Sequence, residues 1–410
     1  MSAWHAGAFR SLRRHNYRLW AGGALVSNVG TWVQRTAQDW LVLTVLTHRS
    51  ASTLGLVMAL QFAPLFLLLP WTGAAADHWD RRKLLIATQA SMGVLALVLG
   101  LLTVTGVVRL WHVYIFASLF GCAAAFDAPV RQVFVSQLVS DEDLHNAVSL
   151  NSMSFNLGGL IGPAASGLMI AAVGTGWAFL LNGASFLAVV TSLFLLRTGE
   201  LHASAPARRT RRSFAEGLRY VSRRSDLIVI LLMLFLVGTF GFNFPIFIST
   251  MAVRVFHADA RGFGVLSSLM AVGTVAGALL SARSARPTLT TLLWSAALLG
   301  VGFTLAGLAP GYWSFAATLV VIGVACLTFI NATNGLMQLS TEPALRGRVM
   351  ALRVGIGLGG APIGAPAVGW VADHLGPRWS LGVGAASGFA AAAVAVYALA
   401  RGQTGPRQVG

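Results

Sequence analysis

Apolar runs of twenty or more residues follow one another along almost the whole chain, and no other feature limits its fold so tightly. They fall at about 17–46, 53–76, 84–105, 110–130, 147–173, 177–196, 226–253, 262–282, 288–308, 312–336, 349–372 and 379–400. A spanning helix takes ~20 mostly apolar residues, whereas a transmembrane strand takes ~10 and alternates. Runs of this length, apolar on all sides, exclude an all-β fold and predict an all-α membrane protein with twelve transmembrane helices. Composition agrees: 56% of the 410 residues are apolar and 10% are charged, against about 25% charged in a soluble domain. A soluble enzyme, a disordered chain and a fibre are excluded.

The formal net charge of +16 comes from an excess of arginine, with Lys83 the single lysine. In a soluble protein it would suggest nucleic acid. Here the basic residues sit in short loops between apolar runs, so the bilayer is the expected partner and nucleic acid is not. Twelve spans put both termini on one side, and that side holds 23 basic residues against five on the other, with Arg35 left inside the first span. The positive-inside rule then predicts cytoplasmic termini in a bacterial inner membrane. Cys122 and Cys326 lie in apolar runs, so neither a disulfide framework nor a metal site is expected. No Gly-x4-Gly-Lys-Ser/Thr motif is present, and no cofactor is expected. The arginine-rich start runs directly into the first span, which does not read as a cleavable signal peptide.

One long polar stretch, 197–225, separates six spans from six. It contains Arg208, Arg209, Arg211 and Arg212, and it reads as a cytoplasmic basic linker. Its Phe214–Val221 part reads either as a short amphipathic helix on the membrane surface or as solvated linker. The expected division is 1–196, a first six-helix bundle; 197–225, the linker; 226–400, a second bundle; and 401–410, a cytoplasmic tail. The halves resemble each other. Residues 137–150 (QLVSDEDLHNAVSL) fall on 338–352 (QLSTEPALRGRVMAL), residues 156–167 fall on 357–369, and Val29-Gly30-Thr31 falls on Val237-Gly238-Thr239. Such symmetry is the signature of transporters whose two bundles rock around a midplane site.

The loop after the second span reads Gly73-Ala-Ala-Ala-Asp77-His78-Trp79-Asp80-Arg81-Arg82-Lys83. It resembles the loop 2–3 signature of the major facilitator superfamily, Gly-x-Leu-Ala-Asp-Arg-x-Gly-Arg-Arg. Gly73, Asp77, Arg81 and Arg82 fall on matching positions; His78 and Asp80 depart from it. Further segments are similar to the efflux branch that includes the enterobactin exporter and macrolide efflux proteins. They are Ser27–Arg35, Asp127-Ala-Pro129-Val-Arg131-Gln132 and Ala147–Ser152. The resemblance implies the major facilitator fold and a gating latch of Gly73, Asp77, Arg81, Arg82, Asp127 and Arg131, with Arg81 set against Asp127. The basic trio is also readable as plain positive-inside anchors. On the fifth span, Gly158, Gly162, Pro163 and Gly167 have the small-residue spacing of close helix packing, and the Gly-Pro pair resembles the exporters' helix 5 motif. The arginine that many proton antiporters carry within helix 4 is missing: Ala117 stands at that spacing.

The first span holds the densest polar pattern. Asn28, Thr31, Arg35 and Gln38 share one helical face, flanked by Gln34 and Asp39. Charges at bilayer depth face a cavity or a partner. Asn28, Thr31, Gln34, Arg35 and Gln38 are therefore expected to line a substrate cavity. Asp39 reads either as the proton-coupling group or as a neutralised structural partner of Arg35, four residues away. Gln61, Phe240, Asn243, Phe244, Phe247, Asn331 and Asn334 are further cavity candidates. Asn151, Asn156, Asn182 and Arg353 are expected to make hydrogen bonds between helices.

The reading that follows is a secondary transporter, not an enzyme, exporting amphipathic small molecules (drug-like compounds or siderophore-like metabolites) by proton antiport as a monomer. An uptake symporter and a non-transporting membrane receptor are the alternatives. The scarcity of intramembrane carboxylates argues against the first, the repeat and the loop signature against the second.

Overall fold

The computed structural model describes residues 7, 9–68, 71–72, 75, 78–202, 211–283, 287–343 and 345–402. Among the described residues the chain folds into twelve main helical segments, and no strand occurs. They are α1 His15–Leu41, α2 Ala51–Leu67, α3 Arg81–Val104, α4 Leu110–Leu138, α5 Asp141–Val173, α6 Thr175–Phe194, α7 Ser225–Val255, α8 Ala260–Arg283, α9 Leu289–Leu308, α10 Tyr312–Leu339, α11 Arg346–His374 and α12 Pro377–Ala400. Ten of these are long and apolar enough to span on composition alone, α3 to α12. The exceptions differ in kind: α1 is long but polar, and α2 is apolar but has only 17 residues.

The helices bury one side and leave the other apolar and exposed. Val98, Leu101, Leu187, Phe194, Leu279, Trp294, Leu305 and Phe389 all lie open. Apolar surface on that scale, with every helix meeting its own backbone hydrogen bonds, belongs in lipid.

By its contacts the chain forms two compact units. One is Met1–Leu46 with Ala63–Arg208; the other is Thr47–Phe62 with Arg209–Gly410. Packing repeats six helices apart: α3 lies on α4 and α6 as α9 lies on α10 and α12, and α1 lies on α5 and α6 as α7 lies on α11 and α12. Two tight turns repeat as well. Gly174 joins α5 to α6 at φ 87°, and Gly376 joins α11 to α12 at φ 105°, a backbone shape that side-chain-bearing residues resist.

Thr47–Phe62, which belongs to the first six spans in sequence, groups with the second unit. Gly55 and Gly369 explain it. A Cβ on either would overlap the backbone of the other helix, at Ala365 and Ala51 respectively, so α2 and α11 touch main chain to main chain. The linker does form a helix, Arg211–Ser222, within the second unit. Glu216 pairs with Arg348 Nη1 at 2.7 Å, and Gly217 packs on the Arg348 side chain at the start of α11.

Candidate functional site

The polar stripe of α1 divides according to its neighbours. Asn28 Nδ2 donates to Ser154 Oγ on α5 at 3.0 Å, and Asn28 Oδ1 accepts from Arg131 Nη1 on α4 at 3.3 Å. Gln34 turns to α6, where its Oε1 accepts from Asn182 Nδ2 at 2.6 Å. Both amides are buried, so Gln34 ties two helices together where the sequence suggested a cavity wall. Trp32, which the sequence reading did not single out, lies over the glycines of α5. A Cβ at Gly158 would come within 2.9 Å of Trp32 Cδ1, and one at Gly162 would overlap Trp32 Cβ. The indole meets the Phe155 ring edge-on at 5.7 Å, and the Arg35 guanidinium stands 5.2 Å from its ring centre. Such a cation over an indole contributes about 0.5–2 kcal/mol. Asp39 follows one turn later and is buried. Gln38 is buried too, and its Nε2 and the Trp32 Nε1 have no hydrogen-bond partner among the described residues. Thr31 is half-buried beside them.

Asp127 on α4 is fully engaged. Its Oδ1 accepts from Thr88 Oγ1 at 2.9 Å and Gln89 Nε2 at 2.6 Å, and its Oδ2 accepts from Arg131 Nε at 3.0 Å. The carboxylate that the loop signature set against Arg81 is thus taken up by Arg131 and α3. Gly73 and Asp77 lie outside the described residues. Asp80, a departure from the signature, caps α3 by accepting from the Lys83 N–H at 2.8 Å. Arg82 donates from Nε to the Leu193 carbonyl at 2.7 Å, so its charge meets the negative end of α6. Arg81 is partly exposed at the start of α3.

In the second unit α7 is interrupted. A π-helical turn at Val237–Gly241 gives way to non-helical Phe242 and Asn243 before helix resumes at Phe244. Asn243 Nδ2 closes the break by donating to the Thr239 carbonyl at 2.7 Å. Opposite, α11 is interrupted at Gly360, and a Cβ at Gly360 or Gly364 would overlap Thr239. Discontinuous helices of this kind mark the binding level in many transporters. Phe244 stacks on Phe242 at 6.0 Å and on Phe303 at 6.2 Å. Phe240 is half-buried at the π turn, whereas Phe247 is buried against Phe303 as core. Gln61 is buried on α2, and Asn334 is partly exposed on α10. Asn331 lines a side cavity of about 550 Å³ among α8, α9 and α10, with Thr288, Thr291, Trp294 and Thr328.

A second group that the sequence reading passed over sits at the end of α11. Asp373 Oδ1 accepts from the Ala51 N–H at 2.9 Å and from Arg254 Nη1 at 2.8 Å. Its Oδ2 accepts from the Ser52 N–H at 2.8 Å and from Ser50 Oγ at 3.0 Å. One carboxylate therefore caps α2 and holds α7. The signal was present in Ser50-Ala-Ser-Thr53, a helix-start pattern, but its capping acid lies 322 positions away.

Residues 6–404 match the family model described as transmembrane secretion effector. The chain belongs to that family, within the major facilitator superfamily. This member is a multi-pass membrane transporter, not an enzyme. It is 28% identical over 381 residues to the enterobactin exporter EntS of Shigella boydii, covering 87% of this chain and 85% of that one. It is 27% identical over 286 residues to the staphyloferrin A transporter of Staphylococcus aureus, covering 67% and 70%. Among solved structures it resembles a POT family transporter in complex with 5-aminolevulinic acid, with TM-score 0.73, 11% identity and coverage of 94% and 95%. It also resembles a bacterial homologue of the lysosomal transporter Spinster, inward-facing and occupied, with TM-score 0.72, 16% identity and coverage of 94% and 97%. At those identities the likeness establishes the fold of this transporter.

Proposed function

We propose that this transporter exports amphipathic small molecules, siderophore-like metabolites among them, from the cytoplasm across a bacterial inner membrane. Alternating access of its two bundles would be driven by proton antiport, with the protein a monomer and both termini cytoplasmic. The observation that carries the reading is the α1 group: a buried acid, Asp39, one turn from Arg35, whose guanidinium stands over Trp32 beside Phe155. Rings on that wall suit an apolar, ring-bearing cargo. A buried acid one turn from a cation takes up a proton in one state and releases it in another if their separation changes between the states. The exporter among its relatives supports the direction.

Flux of a labelled amphipathic dye in proteoliposomes under an imposed pH gradient tests the reading. Asp39→Asn should abolish gradient-driven export yet leave downhill exchange. Gradient-driven export that survives in Asp39→Asn makes Asp39 a structural partner of Arg35. Flux absent from the unmodified protein with every dye favours a receptor. For the latch, Asp77→Asn should slow flux at equal membrane abundance by shifting the balance of the two states. For topology, a cysteine at Ser204 should be labelled only after the membrane is opened.

A further inference from the structure

We infer that Arg353 is an anion-binding residue of the cargo site, so that the cargo carries a carboxylate, sulfonate or similar negative group. The inference rests on the transport reading and narrows its substrate class.

Arg353 lies seven residues into α11, about 10 Å from that end of the helix. An arginine near a helix end commonly extends its head back to the interface. Arg353 does not: its Nη2 donates to the Ile330 carbonyl at 2.9 Å and to Thr333 Oγ1 at 3.1 Å, both on α10. Ile330 is nine residues from Leu339, where α10 ends, about 13 Å along the axis. The guanidinium thus points inward, at least as deep as its own backbone. Its Nε is buried and has no hydrogen-bond partner among the described residues.

The first unit shows how such a charge is otherwise handled. Gln137 and Gln338 set the repeat offset at 201, which places Ala332 opposite Arg131 and Thr328 opposite Asp127. Arg353 brings its guanidinium to the level of Arg131, but from the neighbouring helix. Arg131 is neutralised by Asp127 at 3.0 Å. Among the described residues, Arg353 forms no ion pair, only bonds to a carbonyl and a hydroxyl. An unneutralised cation at membrane depth is costly and faces water or a partner rather than lipid. Arg353 is partly exposed, and its rigid fork suits planar anions. A bound anion supplies the missing charge.

The test measures binding of 1-naphthalenesulfonate and its neutral counterpart 1-naphthalenesulfonamide to the purified full-length protein by equilibrium dialysis. The expected result is a preference for the anion of about tenfold or more. Arg353→Gln should remove that preference, weakening sulfonate binding about tenfold more than sulfonamide binding. Thr333→Asp, which leaves the arginine in place but gives it an acid, should remove it as well. Monodispersity and unfolding temperature establish that each variant is folded, and either folded variant alone decides. A preference that survives in a folded variant, or none in the unmodified protein, overturns the inference. Flux separates the two claims. Arg353-dependent binding without gradient-driven movement of either probe keeps the site and sinks the transport reading. Equal movement of both probes, unchanged in Arg353→Gln, keeps the transport reading and sinks the site.

Discussion

The two units repeat each other in helix packing but differ around their first helices, α1 and α7, in how polarity is handled. In the first, side chains answer side chains: Asp127 with Thr88, Gln89 and Arg131; Asn28 with Ser154; Gln34 with Asn182. Its α1 runs unbroken from His15 to Leu41. In the second, the backbone itself is irregular: α7 and α11 both break, glycine meets main chain at Thr239, and phenylalanines fill the space around Phe244. Duplicated topology therefore does not require duplicated chemistry. Small residues and side-chain networks are alternative ways of holding helices together where lipid removes the hydrophobic driving force.

The strongest way to break this contrast is to unbalance the first unit's ion pair. Asp127→Asn leaves the half-buried Arg131 without its acid and should destabilise the protein by about 3 kcal/mol. Thermal unfolding in detergent would show it; a loss under about 1 kcal/mol would mean that the network is not structural. In the second unit the matching stroke is steric. Gly364→Ala drives a methyl into the Thr239 carbonyl, and overpacking of this kind costs about 1–3 kcal/mol. Gly158→Ala in the first unit meets the edge of the Trp32 ring at 2.9 Å and the Asn28 main chain at 3.0 Å, a milder overlap than the one at Gly364. It should cost less than Gly364→Ala by the same measurement, and the reverse order would overturn the contrast.

Much of the fold was legible because it rests on repetition: span length, the 201-residue offset and the glycine spacing of α5 all lie in local sequence. The site was less so. Helical phase placed Asn28 and Gln34 near one stripe, yet six residues of a 3.6-residue helix rotate one to α5 and the other to α6. Asp373 stayed hidden because its meaning depends on a helix start 322 residues earlier. Phe247 read as cavity lining because an apolar ring looks the same in a core.

Smaller effects sharpen the comparison. Asp373→Asn weakens charge-assisted bonds to Ser50, Ser52 and Arg254 and should lower stability by about 1.5–3 kcal/mol. A cysteine-reactivity scan along 47–62 should rise in that variant, and an unchanged scan would deny Asp373 a role in holding α2. Gln34→Leu leaves Asn182 Nδ2 without its acceptor and should cost about 1–2 kcal/mol. Least is expected of Arg82→Ala, which removes a helix-end contact of about 0.3–1 kcal/mol; stability should barely move.

The polarity of α1 also bears on how the chain is made. On an insertion scale, an arginine or aspartate at mid-helix opposes entry into the bilayer by about 2.5–3.5 kcal/mol. Helix α1 carries Arg35 and Asp39 in its last two turns, where that cost is smaller, and it is not among the ten segments apolar enough to span by themselves. Its partners Ser154 and Asn182 are translated 126 and 148 residues after Asn28 and Gln34, an interval of about ten seconds at ordinary synthesis rates. A chain arrested before α5 emerges is therefore expected to hold α1 less firmly in the membrane than the complete protein does, and alkaline extraction of arrested and full-length chains would show the difference.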